Sequence, residues 1–168
     1  MRVLVTGAGQ RLGRHLAEAF GARGASVFLH YRSSQAGVLE TKAAIEAAGG
    51  QAAIGSADLS KPAEARALVD EAVRTWGGLD LVVASAANFE KLPWQETDDD
   101  ALSRSLDLNL RGQYALAHQA APALIASRGS LIFITCTSSI RPFKGYLAYS
   151  VSKGALRQLM LALARELA

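Results

Sequence analysis

A tyrosine and a lysine four residues apart, Tyr149 and Lys153 in "AYSVSK", carry the sharpest chemical signal in the 168-residue chain. On a helix that spacing puts both side chains on one face. A phenol titrates near about 10, and a nearby ammonium favours its ionised form. The pair can therefore give a proton to a carbonyl oxygen as hydride arrives, or remove one in reverse. A second signal is "VTGAGQRLG" at 5–13, where Gly7, Gly9 and Gly13 follow an apolar run. Such glycines bring backbone close to a pyrophosphate, and the helix behind them adds N–H groups and a dipole. Their spacing, G-x-G-x-x-x-G, is one residue longer than the common dinucleotide fingerprint. The third signal is "HYRSS" at 30–34. An acid at this place suits the ribose hydroxyls of NAD, whereas a cation suits the 2′-phosphate of NADP. Tyr31 and Arg32 stand there with Ser33 and Ser34, and Arg32 can fork onto a phosphate.

These groups need a frame. Apolar runs at 2–6, 26–31, 51–59, 79–86 and 129–137 read as strands. Amphipathic segments at 11–24, 36–50, 61–78, about 98–127 and 147 to the end read as helices. Gly49 and Gly50 stop the second helix, Pro62 opens the third, and Gly77 and Gly78 close it. Asp98 is a candidate cap for the long fourth helix, and Pro122 is expected to kink or end it. Near-continuous apolar strands separated by helices imply a parallel sheet covered on both faces. The expected fold is a doubly wound, Rossmann-like α/β domain spanning 1–168, with strand order 3-2-1-4-5. The polar and aromatic loop at 87–100 follows the fourth strand, on the carboxyl edge of the sheet where ligands bind.

Composition narrows the classes. Half the residues are hydrophobic and the formal net charge is only +3, with basic residues scattered, so nucleic acid is not the expected partner. No apolar run has membrane-spanning length, and "MRVLVTG" enters a strand without a signal-peptide core. One cysteine excludes an internal disulfide, which suits a reducing cytoplasm. No metal site is expected.

Together these features resemble the short-chain dehydrogenase/reductase family, whose glycine motif is T-G-x-x-x-G-x-G. Thr6, Gly7 and Gly13 match it, while Arg11 occupies the middle glycine position. "TGAGQRLG" with "LHYRSS" is most similar to pteridine reductases and their bacterial relatives. The resemblance implies NADPH as cofactor. Arg11 would lie near its phosphates or the substrate pocket, Arg32 and Ser33 would hold the 2′-phosphate, and Leu12 and Ala86 would complete the cofactor set. It places Asp58 at the adenine with Leu59 beside the ring; without it, Asp58 reads as a turn acid. It places Asn109 in the helix that bends to hold a water of the proton relay. It makes Phe89 a ring that could sandwich a flat heterocycle against nicotinamide, though simple loop packing is an equal reading. The family's N-N-A-G after the fourth strand is replaced here by Ala84, Ser85, Ala86 and Ala87.

The resemblance also implies a serine, or in pteridine reductases an aspartate, 13 positions before the tyrosine; Cys136 stands there. A thiol is a weak donor, and Cys136 reads alternatively as a small buried residue at a strand end. Ser138 lies two residues on and would face the same way along an extended chain. The expected catalytic set is Tyr149, Lys153, Asn109 and Ser138, with Cys136 and Phe89 toward substrate. Family members continue into two further strands and a substrate loop that this chain lacks, and the last helices of the family pack in a homodimer or homotetramer. The implied function is NADPH-dependent hydride transfer to a carbonyl or pteridine-like C=N of a small molecule. The alternative is a nucleotide-binding pseudoenzyme or an inactive fragment of a reductase.

Overall fold

The computed structural model describes residues 1–167. Strands β1 (Arg2–Val5), β2 (Ser26–Tyr31), β3 (Gln51–Ser56), β4 (Leu81–Ala84) and β5 (Ser130–Phe133) alternate with helices. The helices are α1 (Arg11–Gly21), α2 (Gln35–Ala47), α3 (Pro62–Trp76), α4 (Asp99–Leu106), α5 (Gln113–Ser127) and α6 (Leu147–Glu166). All four pairings are parallel and the order is β3-β2-β1-β4-β5, the expected doubly wound sheet. Alternate strand residues feed opposite layers because the strand period is two. Leu4, Phe28 and Val82 pack with Leu68, Val69 and Leu116 on one face. Val3, Val5, Val27 and Leu29 pack with Ala17, Val38 and Ile45 on the other. Both faces are covered, which is why the strands read as continuous apolar runs.

The fourth helix departs from expectation. Asp98 caps it as foreseen, its carboxylate accepting from Ala101 N–H at 2.8 Å. The interruption falls at 107–112, a π-helical segment, and not at Pro122, which lies inside α5. The segment ends at Gly112, where a Cβ would collide with the Leu59 carbonyl. This close approach seats the helix pair against the end of the third βα loop. The helix instead stops at Ser127, where Arg128 takes a left-handed cap with φ 52°. The final helix ends at Glu166, and Ala168 lies outside the described residues. Among the described residues, no helix is long and apolar enough to cross a membrane, and no group of three His, Cys, Asp or Glu could hold a metal.

One buried polar side chain in β2 positions the first loop. His30 is 2% exposed. Its Nδ1 accepts the Gly7 N–H at 3.1 Å, and its Nε2 meets the Ala57 carbonyl at 3.0 Å. These partners require the neutral ring with the proton on Nε2. Burial holds its pKa below the usual imidazole value, against smaller opposing effects of the Ala57 carbonyl and Asp58. Because the folded pKa lies below the unfolded one, this contribution to stability is complete above about 6.5 and is lost as pH falls below it. The urea midpoint is therefore expected to drop between about pH 7 and pH 5. His30→Leu should remove that pH step while lowering stability throughout, because the Gly7 N–H loses its acceptor. A step of the same size in the variant would show that His30 is not its source.

Candidate active site

A cleft of about 410 Å³ opens at the carboxyl edge of the sheet, bordered by the loops after β1, β2, β4 and β5 and by α6. Gly7, Gly9, Arg11, Leu12, Gly13, Tyr31, Arg32, Ser33, Leu59, Ala86, Phe89, Tyr149 and Lys153, all singled out from sequence, line it. Its floor is the glycine loop. Gly7 adopts φ +69°, and a Cβ there would lie 3.1 Å from Ala86 Cα. A Cβ on Gly13 would collide with the Gly7 carbonyl, so the first turn of α1 lies directly on the loop. Thr6 Oγ1 accepts the N–H groups of Ser85 (2.9 Å) and Ala86 (3.0 Å), fixing the end of β4 to the same loop.

This end fits an anionic dinucleotide. Gln10 gives α1 no side-chain cap and its first turn has no acid, so its N-terminal N–H groups face the cleft without a competing carboxylate. Arg11 holds φ 50° at the position the family motif gives to glycine. A left-handed non-glycine residue costs roughly 1–2 kcal/mol, which the loop retains in exchange for a guanidinium beside the helix terminus. Arg32 and Ser33 lie at the far end of the same cleft. Asp58 does not line it. Its carboxylate accepts the Ser60 hydroxyl at 2.7 Å and the Ser60 N–H at 3.1 Å. That hydroxyl, above all, holds its pKa below the usual carboxylate value. Its geometry is that of the turn acid, because the serine two residues on captures the side chain.

At the other end, Tyr149 and Lys153 share the first turns of α6 and are buried. Lys153 Nζ donates to the Ile134 carbonyl at 2.9 Å and lies 5.8 Å from the centre of the Tyr149 ring. Burial brings the ammonium down to a pKa of about 8. The phenol moves the other way, raised first by burial and then by Cys136. For Cys136, burial acts upward, but hydrogen bonds from Ser138, Tyr149 and Thr137 outweigh it and bring the thiol to about 7. Cys136 and Tyr149 contribute to each other's shift in opposite directions: charge on the sulfur favours the protonated phenol, and the phenol favours the thiolate. A phenol raised above its ordinary value keeps its proton at neutral pH, consistent with the expected proton donor.

Cys136, not Ser138, is the neighbour of the tyrosine. Beyond β5 the chain turns at 137–139, the Cys136 sulfur accepts the Ser138 N–H at 3.5 Å, and Ser138 is 1% exposed with an unpartnered Oγ. The extended geometry that would put both residues on one side is broken by that turn. Asn109 is fully buried in the π-helical segment. Its Nδ2 donates to Asn88 Oδ1 (2.7 Å) and Ser152 Oγ (2.9 Å), and its Oδ1 accepts the Asn88 N–H (3.1 Å). Sequence reasoning missed Asn88 and Ser152 as its partners. It also missed Gln113, whose Nε2 donates to the Ala86 carbonyl at 3.0 Å. A fully polar residue on the buried side of an apolar helix was the available signal for Gln113. Phe89 stacks on Tyr146, with centroids 4.5 Å apart and planes at 17°, and meets Tyr149 edge-on at 4.8 Å.

A second groove, of about 430 Å³, lies between α5, β5 and α6. Leu124, Leu131, Phe133, Met160 and Leu163 line it, and it brings no set of reactive groups together.

The profile of the short chain dehydrogenase family matches residues 1–168. An uncharacterised oxidoreductase of Methylorubrum extorquens is 37% identical over 165 residues, covering 98% of this chain and 66% of that protein. The chain spans 62–66% of the length of the first curated relatives it matches. A Burkholderia cenocepacia short chain dehydrogenase solved with NADP superimposes with a TM-score of 0.93 at 31% identity, covering 99% of this chain and 68% of that one. An NADH-dependent reductase solved with NAD gives 0.93 at 26% identity, covering 98% and 72%. With the sheet order, the glycine loop and the Tyr149–Lys153 pair, these matches settle the lineage: the chain belongs to the short-chain dehydrogenase family.

Proposed function

We propose that the chain binds NADPH and reduces a carbonyl group of a small molecule, with Tyr149 as proton donor. The observation that carries this reading is the one cleft that joins an uncapped helix terminus and Arg32 to the Tyr149 phenol beside the buried Lys153. NADPH supplies the hydride when bound. Arg32 and Ser33 are assigned to its 2′-phosphate, Arg11 and the loop N–H groups to its other phosphates, and Leu59 and Ala86 to its flanks. Tyr149 delivers its proton to the oxygen that gains negative charge, and Lys153 lowers the cost of the phenolate left behind. Asn109 acts by positioning: through Ser152, whose Oγ also donates to the Tyr149 carbonyl at 2.7 Å, it fixes the turn that carries the tyrosine.

The pteridine reductase-like subtype is the second reading, supported by Arg11, "HYRSS" and Phe89. The thiol at position 136, where the resemblance implies aspartate for that subtype, favours the carbonyl. A homodimer or homotetramer in the cytoplasm completes the proposal.

NADPH consumption with a ketone panel and with dihydrobiopterin tests the reaction, and oxidation with neither would refute it. Cofactor choice is tested by fluorescence titration. Arg32→Glu should weaken NADPH by roughly ten- to hundredfold, the size of a lost charged hydrogen bond, and NADH far less. Equal weakening of both would remove Arg32 from the 2′-phosphate.

The pH profile follows from the one cation, Lys153, and the two acids, Tyr149 and Cys136, at the reacting end. Reduction requires protonated Tyr149 and Lys153, and a thiolate at Cys136 repels the developing alkoxide. The rate of ketone reduction should therefore fall as pH rises through about 7 and on through about 8. Cys136→Ser should remove the lower step and leave the fall near 8. An unchanged profile in that variant would exclude the thiol from the titration.

A further inference from the structure

Charge is divided unevenly along this chain. No aspartate or glutamate occurs between Asp107 and Glu166, a stretch that carries seven lysines and arginines. Two of them, Arg141 and Lys144, lie exposed in the loop that leads into α6. Lys91, also exposed, belongs to the loop after β4. The two loops are joined, the Leu92 N–H donating to the Gly145 carbonyl at 2.9 Å. Gly145 adopts φ +80°, a conformation side chains rarely take. The stem of Lys91 runs along it, with Cγ and Cε each 3.5 Å from where a Cβ would stand. Lys91 and Lys144 therefore meet at one glycine, from two loops.

This join lies at the reacting end of the cleft. Phe89, which lines the cleft, is two residues before Lys91, and Tyr149 is five residues after Lys144. The Tyr146 ring, next to Gly145, has its centroid 6.5 Å from that of Tyr149. Among the described residues, Lys91, Arg141 and Lys144 form no ion pair. Glu90, the acid beside Lys91, is held by Arg104 at 3.4 Å. The first turn of α6 has neither an acid nor a side-chain cap, so its positive end adds to the field. Cations with no acid to answer them raise the local concentration of an anion and steer its approach. Arg11 and Arg32, assigned to the cofactor, follow β1 and β2, whereas these lysines follow β4 and β5. They are left for a different ligand.

We propose that Lys91 and Lys144 form an anion subsite at the rim of the cleft, and that the ketone reduced carries a carboxylate or phosphate remote from its carbonyl. This assignment of substrate class rests on Tyr149 being the proton donor, because that residue fixes where the carbonyl lies.

Two pairs of methyl ketones test it and separate the two anions: 7-oxooctanoate with its methyl ester, and the phosphate ester of 6-hydroxy-2-hexanone with the free alcohol. The readout is the ratio of kcat/KM for the charged ketone to that for its neutral partner, at saturating NADPH. Lys91→Gln and Lys144→Gln should each lower the ratio for at least one pair about two- to fivefold through KM, the size of an exposed ion pair, and leave the neutral ketones unchanged. Lys91→Arg, which keeps the charge, should preserve the ratio. Raising salt from about 0.01 M to about 1 M shortens the Debye length from about 30 Å to about 3 Å and should shrink the wild-type ratio. The pair that responds identifies the anion. A ratio unchanged for both pairs in either glutamine variant, or an equal loss on charged and neutral ketones, overturns the proposal. If wild type reduces none of these ketones, the reductase reading fails separately. Calorimetric titration with octanoate and hexyl phosphate, against octanamide and hexanol, then still tests the subsite with NADPH present. Tighter binding of either anion, lost in the glutamine variants, supports it; anions bound no more tightly than the neutral compounds, or equally well by the variants, overturn it.

Discussion

The carboxamide of Asn109 is fully buried where the helical run between α4 and α5 loosens into a π-helical segment, and its hydrogen bonds reach two other parts of the fold. One partner is Asn88 in the loop after β4, held through both its backbone and its side chain. The other is Ser152 in α6, one turn from the tyrosine. A buried amide left without these partners would cost about 1–3 kcal/mol for each polar group stranded, so the three segments hold their relative positions together. π-Helical turns inside α-helices frequently mark functional sites. Here the turn brings Asn109 inward, and Gly112 lets the segment rest against the Leu59 carbonyl on the cofactor side. One irregularity thereby sets the distance between the two ends of the cleft.

The reacting end is organised by burial as much as by charge. Lys153 is 3% exposed, and its ammonium is held by the Ile134 carbonyl. Burial lowers its pKa, raises that of Tyr149 and opposes ionisation of Cys136, so all three groups are pushed toward their neutral forms. Hydrogen bonds reverse the outcome only at the thiol. The result is a phenol that keeps its proton until an oxygen in front of it gains charge.

Much of the frame could be read from the sequence because it depends on period and punctuation. Apolar runs of strand length, each followed by an amphipathic segment, gave the sheet and its order. The glycine loop and the tyrosine–lysine spacing are local, so their neighbours in space follow from the fold. What escaped was set by contacts distant along the chain. Pro122 was read as the breaker of the long helix, although Gly112 also lies within it and the resemblance put a bend at Asn109; the break lies at 107–112, where Gly112 packs on Leu59. Ser138 was expected to face the tyrosine on an extended chain, and a turn at 137–139 buries it. Asp58 turns to Ser60, and Phe89 finds Tyr146 through a join between loops that no sequence pattern announces. His30 was visible as a polar residue in an apolar strand, but its service to Gly7 depends on register between strands and loop.

In the proposed reaction Tyr149 gives its proton to the substrate oxygen, while the glycine loop and Arg32 hold the cofactor phosphates. The direct measurement is Tyr149→Phe, followed by NADPH affinity and ketone turnover in one preparation. The account predicts NADPH binding within about threefold of wild type and a loss of turnover on the order of a hundredfold or more, the scale of a missing general acid. Turnover at the wild-type rate with saturating substrate would contradict it.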